Sequence, residues 1–130
     1  MKIAHHDLVT DLDDEWWTEA GMHSFVPTSP AYRCDRDAVA VRIADICPVS
    51  LQRLSMGIFK DNTDWRIPAR ERVLKILWGF RCGEAIPPVE IIVGDAGYAH
   101  GYRLTDGTHR LYLSIAAGFT HVPTVRDFSD

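Results

Sequence analysis

Tyr102-Arg103-Leu104-Thr105-Asp106-Gly107-Thr108-His109-Arg110 is the stretch that decides how this chain is read. A strand over Tyr98 to Thr105, irregular at Gly101, gives way to a tight turn at Asp106-Gly107. A helix follows from about His109 to Ala117 and is closed by Gly118. A strand that turns through glycine into a helix leaves the first helical amides unpaired and aimed at one spot, where the helix dipole also favours negative charge. Thr108 is the expected N-cap, with a hydroxyl able to reach a phosphate oxygen. Arg110 would supply a charge-assisted fork, and His109 a proton carrier or a further donor. Gly107, Thr108, His109 and Arg110 are therefore the candidate anion cradle. The same residues also fit a plain capped helix with two solvated side chains.

Outward from this junction the chain alternates helices and strands. Val89-Glu90-Ile91-Ile92-Val93 reads as a strand entered through Pro87-Pro88. Before it, Val73, Leu74, Leu77, Trp78 and Phe80 recur at helical spacing between Pro68, suited to a first helical turn, and Gly83; this spacing puts Trp78 and Phe80 in the core. Val122-Pro123-Thr124-Val125 is a last short strand, its proline suggesting an edge or a strand start. Val39 to Ile46 alternates imperfectly as a further strand, and Val49 to Leu54 fits a helical turn. Asp11 to Gly21 reads as a short helix with acids in its first turn, bearing Trp16 and Trp17, which must cover either the domain or a partner. The reading is one α+β domain, a small mixed sheet with packed helices over residues 39–130, and an acidic helical and irregular segment over residues 1–38 packed on it.

Composition bounds the function. The chain has 130 residues, 46% hydrophobic and 25% charged, which suits one globular domain and not a disordered tail. No stretch approaches a membrane span and the start lacks a signal-peptide core, so a cytoplasmic protein is expected. The formal charge is −4, and residues 1–30 hold one Lys against six acids, so the remainder is close to neutral. That balance argues against general nucleic-acid binding. Eleven of the fourteen cations are Arg, the residue suited to phosphate and carboxylate. Cys34, Cys47 and Cys82 have no paired spacing and are expected to be buried free thiols. His5-His6-Asp7 invites a metal reading but lacks a third ligand of defined spacing, so no metal ligand is assigned; His100 and His121 have no partner recognisable in the sequence. Trp65 and Tyr98 join the aromatics that could stack a base.

The order of these elements resembles the ParB/sulfiredoxin superfamily over roughly residues 40–126. The resemblance rests on Arg70 to Leu77, Pro87 to Val93, the Asp106-Gly107-Thr108-His109-Arg110 helix start, Ala116-Ala117-Gly118 and His121 to Val125. In that family the Gly-x-x-Arg helix start holds nucleotide phosphates, which implies ATP, ADP or CTP here, with magnesium. Thr108 stands where sulfiredoxins carry their reactive cysteine, which argues against sulfinic-acid repair. Leu113 replaces the alanine of the ParB pattern, and no helix-turn-helix reader follows, so chromosome partition fits poorly. The free serine kinases share the Gly-x-His-Arg start, but their catalytic His-Glu context is not reproduced.

The resemblance implies a nucleotide-binding protein and a small-molecule phosphotransferase acting on a hydroxyl acceptor. Asp61, Asp64 and Glu71 are the nearest carboxylates to the long helix; Asp64 is the first candidate base or magnesium ligand and Asp106 the second, with His109 as proton carrier. For both aspartates a turn or loop-capping role fits as well. The alternative is a non-enzymatic interaction or regulatory module, paired with a partner or a second copy through the Trp16/Trp17 helix. A ParB-like nuclease ranks third, for want of a metal-ligand cluster and a basic surface.

Overall fold

The structure is a computed structural model that describes residues 1–61, 66–94 and 100–127. It is a mixed α+β domain. In chain order the elements are β1 (Lys2–His5), β2 (Leu8–Asp11), α1 (Asp14–Glu19), β3 (Val39–Arg42), α2 (Leu51–Met56), α3 (Ala69–Cys82), β4 (Val89–Val93), β5 (Tyr102–Asp106), α4 (Thr108–Ala117) and β6 (His121–Arg126). Four strands form a mixed sheet in the order β3-β6-β4-β5, parallel between β4 and β6 and antiparallel at both outer pairs.

Helix α4 is the centre of the core. Leu111, Tyr112, Leu113 and Ser114 are fully buried in succession, because the helix packs against α3, β1, β4 and β6 together. Helix α3 buries one stripe, Ala69, Val73, Leu77 and Phe80, at three- and four-residue spacing. Trp78 lies off that stripe and is 48% exposed, which corrects the expectation that it joins Phe80 in the core. The α3 start is held from a distance: Asp61 Oδ1 accepts the Ala69 amide at 2.7 Å, while Pro68 occupies the N-cap position rather than the first turn.

Three further expectations are corrected. Residues 2–11, read as the start of an irregular segment, form an antiparallel hairpin turned at His6-Asp7. β6 is an interior strand despite Pro123; the Thr124 hydroxyl donates to the Val39 carbonyl at 2.7 Å, adding a bond where proline has no N–H. The β4–β5 register shifts opposite Glu90 and Ile91, which pair with Asp106 and Leu104 and leave Thr105 of β5 as the extra residue; Gly101 lies before β5 begins.

The acidic helix α1 is shorter than read, capped by the Asp13 side chain accepting the Glu15 amide. Trp16 and Trp17 are half-buried against the core of this same chain. The cysteines are free, but Cys34 and Cys47 are only half-buried and Cys82 is exposed, because none lies on an inward-facing stripe. No helix among the described residues is long and apolar enough to cross a membrane.

Candidate anion-binding site at the start of α4

The β5–α4 junction forms as the sequence requires, with glycine at its pivot. Gly107 is the N-cap of α4, at φ +101° and ψ 30°, in the left-handed region that side chains avoid. Its missing side chain also admits the neighbouring strand: a Cβ there would lie 2.8 Å from Val89 Cγ1 and 3.1 Å from Val89 Cα. Thr108 is consequently the first helical residue, not the cap, and Gly107 has no side chain with which to cap anything. The first helical bond runs from the Leu111 amide to the Gly107 carbonyl at 2.9 Å. The amides of Thr108, His109 and Arg110 precede it, at the positive end of the helix.

A cleft of about 250 Å³ opens over this end, walled by Ile58 and Ile76 and bounded by Asp106 to Arg110. Two arginines from elsewhere in the chain also line it, Arg53 of α2 and Arg72 of α3. Arg53 Nη2 donates to the Thr108 hydroxyl at 3.2 Å, so that hydroxyl and guanidinium face the cleft as a pair. Neither Arg53 nor Arg72 was expected in the site. They are 19 residues apart on separate helices, and no spacing rule links them to residue 108.

Arg110 has a different role from the expected fork. Its Nη1 donates to the Pro88 carbonyl at 2.9 Å and its Nη2 to Asp106 Oδ2 at 3.3 Å. It latches α4 to the entry of β4 and the end of β5, and holds positive charge on the cleft wall while doing so. Asp106 is mostly exposed and is the carboxylate, among the described residues, that lines the cleft.

His109 is buried, and its Nε2 donates to the Ile58 carbonyl while the ring stacks on Phe59 at 5.0 Å. Because a carbonyl only accepts, Nε2 carries the proton, and a neutral ring then has Nδ1 as an acceptor. Burial pushes the imidazole pKa below its ordinary value; the Ile58 bond opposes this, and Arg72, Arg53 and Arg110 press in the same direction as burial. The ring is thus neutral near pH 7 and offers phosphate no side-chain donor. Its bond to Ile58 anchors the loop after α2, and with it the position of Arg53.

Of the remaining candidates, Asp64 lies outside the described residues, as do Trp65 and Tyr98. Asp61 is committed to the Ala69 amide, and Glu71 is exposed in the first turn of α3. The arrangement can therefore attract and orient a multiply charged anion, using helix amides, one hydroxyl and guanidinium groups from α2, α3 and α4. Comparison with protein-family models, with curated proteins and with solved structures finds no match to this chain.

Proposed function

We propose that this protein binds the phosphates of a nucleotide in the cleft over the start of α4, on the ParB/sulfiredoxin pattern of a Gly-x-x-Arg helix start. One observation carries the reading: Arg53, Arg72 and Arg110, from three different helices, line the same small cleft as the first turn of α4, whose N-cap Gly107 makes no side-chain cap bond. Like charges gathered this way repel one another; Asp106 offsets part of that cost at Arg110, and a bound anion would offset more. Guanidinium groups and helix amides both match phosphate oxygens in geometry.

The size of the cleft limits what enters it. At about 250 Å³ it is smaller than the roughly 300–1,000 Å³ of sites that enclose a whole drug-sized ligand. Phosphates fit, and the sugar and base would lie across the rim. This is the geometry of a site that reads charge first, with ATP, ADP and CTP as the nucleotides to compare.

Phosphoryl transfer to a small hydroxyl acceptor is the catalytic extension of this proposal. The arginines would neutralise charge developing on the transferred group, the electrostatic part of such a reaction. Asp106 is the described carboxylate placed to meet magnesium or an acceptor hydroxyl, and it would first have to leave Arg110. The geometry supports binding on more residues than it supports transfer.

A thermal-shift screen with ATP, ADP, CTP and GTP, each with and without magnesium, tests the reading. Stabilisation is expected, and inorganic tripolyphosphate should compete for it. Loss of one charged hydrogen-bond donor typically costs about 1.5–3 kcal/mol, so Arg53→Ala and Arg72→Ala should each weaken binding at least about tenfold. No shift with any nucleotide at millimolar concentration would overturn the proposal and favour the interaction-module reading.

A further inference from the structure

His5-His6-Asp7 lacked a third ligand in the sequence, and the fold brings one to it. His5 ends β1 and His6 turns the hairpin at φ +56°, a left-handed conformation uncommon for a residue with a side chain. The tip then meets the chain entering β5. Ile46 and Tyr102 form a parallel bridge, and the Cys47 amide donates to the Tyr102 carbonyl at 2.8 Å. His5 Nε2 donates to the carbonyl of that same Ile46 at 2.7 Å. Hairpin tip and strand entry thus share one short segment, and His100 is carried onto His6. The ring centroids of His5 and His6 lie 4.5 Å apart and those of His6 and His100 4.1 Å apart, inclined at 49° and 42°.

The chemistry of His5 is specific. Its Nε2–H is committed to a carbonyl, so a neutral ring presents the Nδ1 lone pair as its ligating position. A histidine that donates one ring N–H to a backbone carbonyl has the outer-shell partner found behind metal-bound imidazoles, which fixes tautomer and orientation. Two imidazoles on one ion, each bound at about 2.0–2.1 Å, have centroids about 4.5 Å apart at a ligand angle of about 90° and about 5.2 Å apart at the tetrahedral angle, so the His6 and His100 rings have to move apart to share an ion. As they lie, no three His, Cys, Asp or Glu side chains among the described residues surround a common point. His6 is exposed at the hairpin tip, and rotation about its side-chain bonds is what would aim the set.

We propose that His5, His6 and His100 bind a late first-row divalent cation (Zn²⁺, Ni²⁺ or Cu²⁺) and that the ion fastens the N-terminal hairpin to the entry of β5. An all-imidazole donor set selects these ions over Mg²⁺ and Ca²⁺, which take oxygen ligands. The site uses none of the residues that line the anion cleft and stands or falls separately from it.

The test is calorimetric titration of ZnCl₂ into the full chain carrying Cys82→Ser, which removes the exposed thiol as a competing ligand. One ion per chain is expected, with a rise in Tm that EDTA reverses and no comparable response to MgCl₂. His6→Gly, which suits a positive φ, and His100→Ala should each weaken Zn²⁺ binding at least about tenfold. His23→Ala and His121→Ala, outside the cluster, should leave it unchanged. Ni²⁺ should broaden the imidazole NMR signals of His5, His6 and His100 before those of other histidines. Binding that survives both cluster variants, that depends on His23 or His121 instead, or that is absent at sub-millimolar Zn²⁺ overturns the proposal. A zinc-free Tm of His6→Gly equal to that of the parent separates lost ligation from lost folding.

Discussion

Gly107→Ala is the substitution that most directly probes how the anion site is built. Two costs add at this position. The backbone sits at φ +101°, where a side chain costs about 1–2 kcal/mol. The new Cβ would also lie 2.8 Å from Val89 Cγ1, 3.0 Å from Val89 Cβ and 3.1 Å from Val89 Cα. Cγ1 can rotate away but Cα is backbone, so strand and helix must part, an overpacking cost of about 1–3 kcal/mol. Alanine's smaller unfolded-state entropy returns about 0.4–1 kcal/mol. The expected loss is therefore about 1–4.6 kcal/mol, centred on about 3 kcal/mol, read by urea unfolding as a lower midpoint at unchanged slope. Gly118→Ala provides the internal comparison. It has a similar φ of +96°, but its Cβ would meet only Pro27 at 3.5 Å, so with the same entropy return it should lose about 0–1.6 kcal/mol. Combining Gly107→Ala with Val89→Ala should recover part of the overlap cost as a favourable coupling energy. Equal losses at Gly107 and Gly118, or no coupling to Val89, would refute the claim that close approach to β4 dictates glycine at the junction.

Other outcomes follow from the same geometry. Asp61→Ala frees the Ala69 amide and should cost about 0.5–2 kcal/mol in chemical denaturation, whereas Glu71→Ala, exposed in the same turn, should cost less. His5 and His109 have folded-state pKa values below the ordinary 6.5, so between the two values the unfolded chain binds more protons than the native one. The stabilising contribution of these two rings should therefore fall as pH drops through about 6.5 towards their folded-state values, and His109→Gln should flatten the melting temperature's slope there. Nucleotide affinity should decline with added salt in the parent, and less steeply in Arg53→Ala, as measured by titration at several ionic strengths.

The parts of the fold visible in the sequence are those dictated by local rules. The α3 stripe, strand β4 and the β5–Gly107–α4 junction follow from periodicity and from glycine's freedom at positive φ. The N-terminal hairpin was hidden because its turn is His6-Asp7 and not a glycine or asparagine pair, and because one of its inward positions is the polar His5. Pro123 misleads because its missing donor reads as an edge, while the sheet order is set by long-range pairing with β3 and β4. Trp78 misleads because one step along a helix turns a side chain by about 100°, enough to leave the stripe defined by Leu77. The candidate site divides the same way. Gly107, Thr108, His109 and Arg110 are contiguous, so a local reading can group them as candidates; Arg53 and Arg72 join the same cleft through tertiary packing, which spacing along the chain does not show. The second role of Arg110, as a latch on Pro88, depends on a carbonyl 22 residues away that no local pattern indicates.

The contact between Gly107 and Val89 also bears on the tempo of the proposed nucleotide capture. Strand β4 backs directly onto Gly107 at the start of α4, which would hold the first-turn amides in place before an anion arrives. Donors fixed in advance make capture a single encounter step rather than an encounter followed by closure. Stopped-flow traces should then show one phase whose rate constant rises linearly with nucleotide concentration, without the plateau that a slow rearrangement imposes. Long-range attraction to Arg53, Arg72 and Arg110 would hasten that encounter in dilute buffer. Discrimination among anions would be left to how quickly each departs.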